Sequence, residues 1–143
     1  MELNVAMLAP AAVLVAWSLV VLVWMTVTRF AGMARIGVDL KQAKPGGRGQ
    51  DLEPVLPPQT MWKAHNFTHL MESPTMFYPL VVILALTGAG QTQVMVAWAY
   101  VAIRVVHSLW QVLVNTIPVR VMLFALSTVC LVVLAISALQ ATL

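Results

Sequence analysis

Four long apolar stretches, at residues 3–30, 59–86, 91–115 and 118–140, alternate with polar interruptions along this chain. Each reaches or exceeds the roughly 20 residues that carry a helix across a bilayer. The pattern predicts four membrane helices joined by one long loop, residues 31–58, and two short turns. Proline and glycine mark the joints. Lys44-Pro45-Gly46-Gly47-Arg48-Gly49 and Pro57-Pro58 make the long loop irregular, and Thr87-Gly88-Ala89-Gly90 closes the second stretch. Ile117-Pro118 ends the third stretch and opens the fourth, because proline disfavours helix in the residue before it and suits a first helical turn. Pro74 and Pro79 are expected to bend the second helix. The short connections make helices two, three and four antiparallel neighbours. The expected fold is an all-α integral membrane four-helix bundle, with residues 1–143 as a single domain. A connection as long as 31–58 is more often functional or mobile than a simple link.

Composition agrees with that class. The chain is 61% hydrophobic and 9% charged, with a mean hydropathy of +0.90. A soluble domain of 143 residues could not hide so much apolar surface. The first stretch is read as a retained helix and not as a cleaved signal. It lacks a basic leader, has Glu2 instead, and its apolar run from Val5 to Val27 exceeds a usual signal core. The lone Cys130 lies in an apolar run and is expected to be a small core or lipid-facing residue.

The net charge of +3 is not a nucleic-acid signal, because Arg29, Arg35, Lys41, Lys44, Arg48 and Lys63 all gather around one loop. By the positive-inside rule that loop is cytoplasmic, and both termini face outward. In a bacterial inner membrane they are periplasmic.

Polar residues inside two of the apolar stretches carry the candidate chemistry. His65, His69 and Glu72 recur at i, i+4, i+7 in the second stretch. Arg104, His107 and Gln111 recur at i, i+3, i+7 in the third. Each set lies on one helix face. Ionisable groups at membrane depth are costly and face protein or a water-filled cavity. Glu72 and Arg104 each lie roughly 18 Å from the cytoplasmic end of their helix. They are therefore expected to pair at one level, with His69 beside His107 and His65 beside Gln111 on the next two turns. Such a cluster can fix helix register, line a pocket for a polar ligand, or bind a metal. The spacing matches no established metal motif, so no metal site is assigned. Arg120, two residues after Pro118, is either an interfacial anchor or an arginine that holds an anion or a thiolate at the membrane face. The chain has no nucleophile triad, P-loop or dinucleotide fingerprint. The tryptophans and methionines need no role beyond belt and packing.

The run Trp62-Lys63-Ala64-His65-Asn66-Phe67-Thr68-His69-Leu70-Met71-Glu72-Ser73-Pro74, followed by Phe77-Tyr78-Pro79, resembles the second-helix signature of the MAPEG family (membrane-associated proteins in eicosanoid and glutathione metabolism). Ala97-Trp98-Ala99-Tyr100 through Arg104-Val105-Val106-His107-Ser108 resembles its third-helix signature, and Ile117-Pro118-Val119-Arg120 the entry to its fourth helix. The resemblance spans nearly the whole chain. It implies a homotrimer with glutathione between subunits near the cytoplasmic face. Arginines there grip the carboxylates, and one arginine at the start of helix four stabilises the thiolate. Carried over by motif, Glu72, Arg104 and His107 fall on the polar inter-helix cluster, and Arg120 on the thiolate-stabilising arginine. His65, His69 and Gln111 complete the expected glutathione-binding set, with Arg120 as the expected catalytic residue.

The chain also departs from the pattern. Glutathione-using members carry further arginines where it has His65 and Thr68. Gln111 and Phe124 stand in place of pocket tyrosines, and Val121 stands where prostaglandin synthases have serine. It resembles the bacterial branch of the family more than the eicosanoid synthases. Two functions follow as expectations. One is a glutathione transferase or peroxidase acting on lipophilic electrophiles. The other is a non-catalytic membrane subunit that binds lipid, quinone or a larger membrane complex.

Overall fold

A computed structural model describes residues 3–143; Met1 and Glu2, the latter used above in reading the leader, lie outside the described residues. The helices are α1 (Val5–Arg35), α2 (Pro58–Glu72), α3 (Pro74–Thr87), α4 (Gln91–Leu113) and α5 (Ile117–Thr142), and two short 3₁₀ turns, Leu40–Gln42 and Gly49–Leu52, lie in the loop after α1. Together α2 and α3 form one membrane span, so four spans are long and apolar enough to cross a bilayer. At 1.5 Å per residue, the 31 residues of α1 reach about 45 Å, well beyond a hydrocarbon core of about 30 Å. Its last turns therefore project beyond the hydrocarbon, where the loop folds back on them.

The division of the second span has a clear cause. Pro74 has no N–H for the Leu70 carbonyl, so the hydrogen-bond ladder breaks there. Ser73 nonetheless keeps helical dihedrals, φ −66 and ψ −34, and Pro74 occupies the first turn of α3, where a missing N–H costs nothing. Pro79 is accommodated inside α3 without ending it.

The main apolar core lies toward the end that carries the N-terminus. Met7, Leu14 and Val21 recur every seven residues on one face of α1. They pack with Phe77, Val81 and Leu84 of α3, Val94, Ala97 and Tyr100 of α4, and Leu131 and Leu134 of α5. Phe77 stacks on Tyr100 with ring centroids 4.4 Å apart. Asn4 fastens this end: its backbone N–H donates to the Ala85 carbonyl at 3.0 Å, and its Nδ2 to the Ala89 carbonyl at 2.7 Å. Gly88, at φ +88, ends α3 in the left-handed conformation that L side chains avoid. A smaller apolar cluster, Met33, Leu56, Met61 and Ala64, seals the opposite end beneath the long loop. Outward-facing residues such as Leu19, Val23, Val129 and Ile136 are exposed and apolar, as lipid requires.

α4 packs against α1, α2 and α5, while α3 packs against α1 and α5. The polar residues of α4 are therefore enclosed on three sides at the level of α2.

Candidate functional site

One face of α4 carries Arg104, His107, Ser108 and Gln111, and all four are buried. Arg104 is 1% exposed. Its Nη2 donates to Nδ1 of His69 and to the His69 backbone carbonyl, both at 3.0 Å. Arginine has no acceptor, so Nδ1 of His69 must accept, which leaves the ring proton on Nε2. The His69 and His107 rings lie 4.9 Å apart, as their matched depth led one to expect. The His69 ring also meets Phe124 of α5 edge-on at 5.5 Å.

The expected Glu72–Arg104 ion pair is not formed. Glu72 is exposed on the surface of the span, and the only basic–acidic side-chain contact within salt-bridge distance among the described residues is that of His65 with Glu53. The break after Glu72 explains the difference. It frees the Leu70 carbonyl within the span and leaves an electronegative helix end at membrane depth. A cation is favoured at that negative end of the helix dipole. The His69 carbonyl thus takes the place that the Glu72 carboxylate was expected to fill.

His65 is also placed differently from expectation. It does not meet Gln111. Its Nε2 lies 2.8 Å from Oε1 of Glu53, in the second 3₁₀ region of the loop, and about half of each side chain is exposed. Gln111 is 2% exposed, and its Oε1 has no protein partner among the described residues.

Arg120 stands near the start of α5 and lines a cleft of about 330 Å³ with His69, His107, Ile117, Val121 and Phe124. Its Nη1 donates to Oδ1 of Asn115 at 2.8 Å. Asn115 adopts φ +61, a left-handed conformation that asparagine tolerates better than most residues. Its backbone N–H donates to the Trp110 carbonyl at 2.8 Å, closing the end of α4. The same residue thus turns the chain and orients the arginine. Nε of Arg120, and Nε and Nη1 of Arg104, have no protein partner among the described residues. Unused donor capacity therefore remains at Arg120 on the cleft wall and at the buried Arg104 bonded to His69. No group of three or more His, Cys, Asp or Glu side chains converges in metal-binding geometry among the described residues.

Sequence reasoning missed the hydroxyl that ties this region together. Ser108, 1% exposed, accepts from Asn66 Nδ2 at 2.7 Å and from Trp17 Nε1 at 3.0 Å. One side chain of α4 thereby joins α1 and α2. A buried asparagine within an apolar run was the available signal, since buried polar groups must find partners. Arg29 was read only as a topology signal. It lines a second cleft, of about 260 Å³, with Gln50, Glu53, His65 and Thr68. Its guanidinium lies so close to Gly49 that a Cβ there would fall 2.6 Å from Nη1. A side chain there would force the guanidinium to shift.

Four apolar spans, a buried arginine on the third and an arginine at the entry to the fourth form a recognisable set. The sequence model of the MAPEG family matches residues 7–140. The chain belongs to the MAPEG family. Membership makes it an integral membrane protein of a family concerned with glutathione and eicosanoid metabolism, and accords with the four membrane spans. Comparison with curated proteins and with solved structures returns no match. As a MAPEG protein, it carries its polar cluster at the cleft between α2, α4 and α5. The matched region also includes the loop and the second cleft.

Proposed function

We propose that this MAPEG protein is a glutathione-dependent transferase or peroxidase acting on lipophilic electrophiles. The cleft carries the reading: Arg120, His69 and His107 stand beside Phe124, with Ile117 and Val121 exposed at its lip, 69% and 59% respectively. Charged and apolar walls meet there at the membrane face. The residues present fit the thiol end of such a ligand. Bound glutathione supplies a sulfur nucleophile that forms a bond to an electrophilic carbon as the leaving group departs with its electron pair. A guanidinium is charged at all relevant pH and offers several donors. Arg120, held by Asn115, stabilises negative charge on that sulfur. Phe124 and the exposed Val121 give a substrate dissolved in lipid an apolar approach.

The carboxylate ends of the ligand need more cation than this cleft holds. A second copy of the chain would supply it from the cleft of Arg29, Gln50 and Thr68, giving a homotrimer with the ligand between subunits. Glu72, exposed at membrane depth, supports such an assembly, because an ionisable group there calls for a protein or aqueous neighbour. The clustering of Lys and Arg around the loop supports a cytoplasmic loop and periplasmic termini in a bacterial inner membrane.

Glutathione titration of the purified protein, read by thiolate absorbance, tests the proposal. A free thiol ionises at about pH 8.5, so a thiolate band near neutral pH is expected with wild type and not with Arg120→Ala. Conjugation of 1-chloro-2,4-dinitrobenzene should fall tenfold or more in that variant, since one pKa unit corresponds to about 1.4 kcal/mol. Wild type without a thiolate band or turnover, or an alanine variant equal to wild type, sinks the idea.

One observation favours a second reading. Arg120 is the only Lys or Arg that lines the α2–α4–α5 cleft. A non-catalytic subunit binding lipid, quinone or a larger complex would need no more, with Arg104 as scaffold.

A further inference from the structure

The loop after α1 closes one end of the bundle over a third cleft, of about 470 Å³. Its floor is apolar, with Phe30 and Met33 from α1 and Val38, Leu40 and Leu52 from the loop, and Lys44 and Arg48 stand among its walls. A tight turn sets their spacing. Pro45 fixes φ at the second position, Gly46 takes φ +84 at the third, and the Gly47 N–H donates to the Lys44 carbonyl at 3.2 Å. That is the arrangement of a type II turn. The chain reverses there, so both cations border one opening.

Each acid of this loop already has a hydrogen-bond partner. Asp39 accepts from the Lys41 N–H at 2.9 Å and from Gln42 Nε2 at 3.2 Å. Asp51, which also lines this cleft, accepts from the Arg48 backbone N–H at 2.7 Å. Glu53 is held by His65. Among the described residues no carboxylate pairs with the side chain of Lys44 or Arg48. Directly beside these cations, Phe30 and Leu40 are 54% and 55% exposed. Phe30 continues the exposed apolar face of Val23 and Val27, which runs along α1 in the membrane.

We propose that this cleft binds the headgroup of an anionic phospholipid. The phosphate lies between Lys44 and Arg48, and the glycerol and first acyl carbons cover Phe30 and Leu40. Two free cations call for an anion, and an apolar floor continuous with the lipid-facing side of α1 calls for one that carries a hydrocarbon tail. Basic groups at the membrane surface bind anionic lipid by this chemistry. A soluble phosphate would leave Phe30 and Leu40 in water. The cleft shares no residue with the one at Arg120, so the site stands whether or not the thiol chemistry does.

Native mass spectrometry of the full chain in neutral detergent, with phosphatidylglycerol or phosphatidylcholine added at equal concentration, tests this. Wild type should retain one phosphatidylglycerol per chain in preference to phosphatidylcholine. Lys44→Gln with Arg48→Gln should weaken retention about thirtyfold. Arg35→Gln with Lys63→Gln, an equal loss of charge at the neighbouring opening, should leave it unchanged. Leu40→Ser, which keeps both cations, should weaken it several-fold. These substitutions are at the protein surface, and circular dichroism should show full helicity. The proposal is overturned if wild type retains both lipids equally or if the Lys44/Arg48 variant matches wild type. It is equally overturned if the control pair loses as much, or if millimolar inorganic phosphate or glutathione displaces the lipid.

Discussion

Arg120 is held by Asn115 through a 2.8 Å hydrogen bond, and Asn115 itself occupies a left-handed backbone position at φ +61. Turn geometry and arginine orientation therefore depend on one side chain. Asn115→Gly keeps the backbone conformation and releases the arginine. Its thermal unfolding should stay within about 0.5 kcal/mol of wild type, while conjugation activity falls. Asn115→Ala should lose the same proposed activity and in addition about 1 kcal/mol, because alanine lacks the short polar side chain that lets asparagine tolerate that conformation. Paired melting curves and initial rates for the two variants check the distinction.

The absence of an in-chain Glu72–Arg104 ion pair gives a double-mutant cycle with a definite answer. Arg104→Gln leaves the His69 carbonyl and its ring Nδ1 without their donor. It should cost about 1–3 kcal/mol. Glu72→Gln should cost less than about 1 kcal/mol in the monomeric chain, and the coupling energy should be near zero. A coupling above 2 kcal/mol by detergent unfolding would contradict the geometry.

Ser108 offers a simpler test. Ser108→Ala removes the acceptor of both Asn66 and Trp17. A buried donor left unpaired costs about 1–3 kcal/mol. Tryptophan emission should shift as the Trp17 indole loses its partner, whereas Ser137→Ala, on an exposed turn of α5, should change neither quantity.

The proposed assembly predicts trimers by native mass spectrometry in mild detergent. Glu72→Leu should retain helicity. If a neighbouring copy neutralises Glu72 the trimer should weaken, so Glu72→Leu trimers as stable as wild type would separate Glu72 from the interface.

The sequence made the membrane spans legible because twenty-odd apolar residues have few other uses. The Glu72–Arg104 pair was misread for a physical reason. Matched depth was visible, but a backbone carbonyl near the end of α2 competes for the same cation, and a helical pattern counts side chains only. His65 was misplaced because an irregular loop has no periodicity from which to foresee Glu53. The His69–His107 contact was legible because both residues lie on regular helix at one level. The Ser108 bridge was not, since serine is small enough to suit any face of a membrane helix.

The interruption between α2 and α3 has a mechanical consequence. A helix whose ladder is cut at mid-span is two rods with a compliant joint. The rod of α3 is anchored in the apolar core through Phe77, Val81 and Leu84, and the rod of α2 carries His65, His69 and the Asn66 tether. Strain applied at the cleft can be absorbed at Ser73 before it reaches the apolar packing. The amides of α2 should accordingly exchange with solvent deuterium faster than those of α3, although both belong to one membrane crossing. In this chain the proline that looks like a defect separates the half held in the apolar core from the half that carries the histidines.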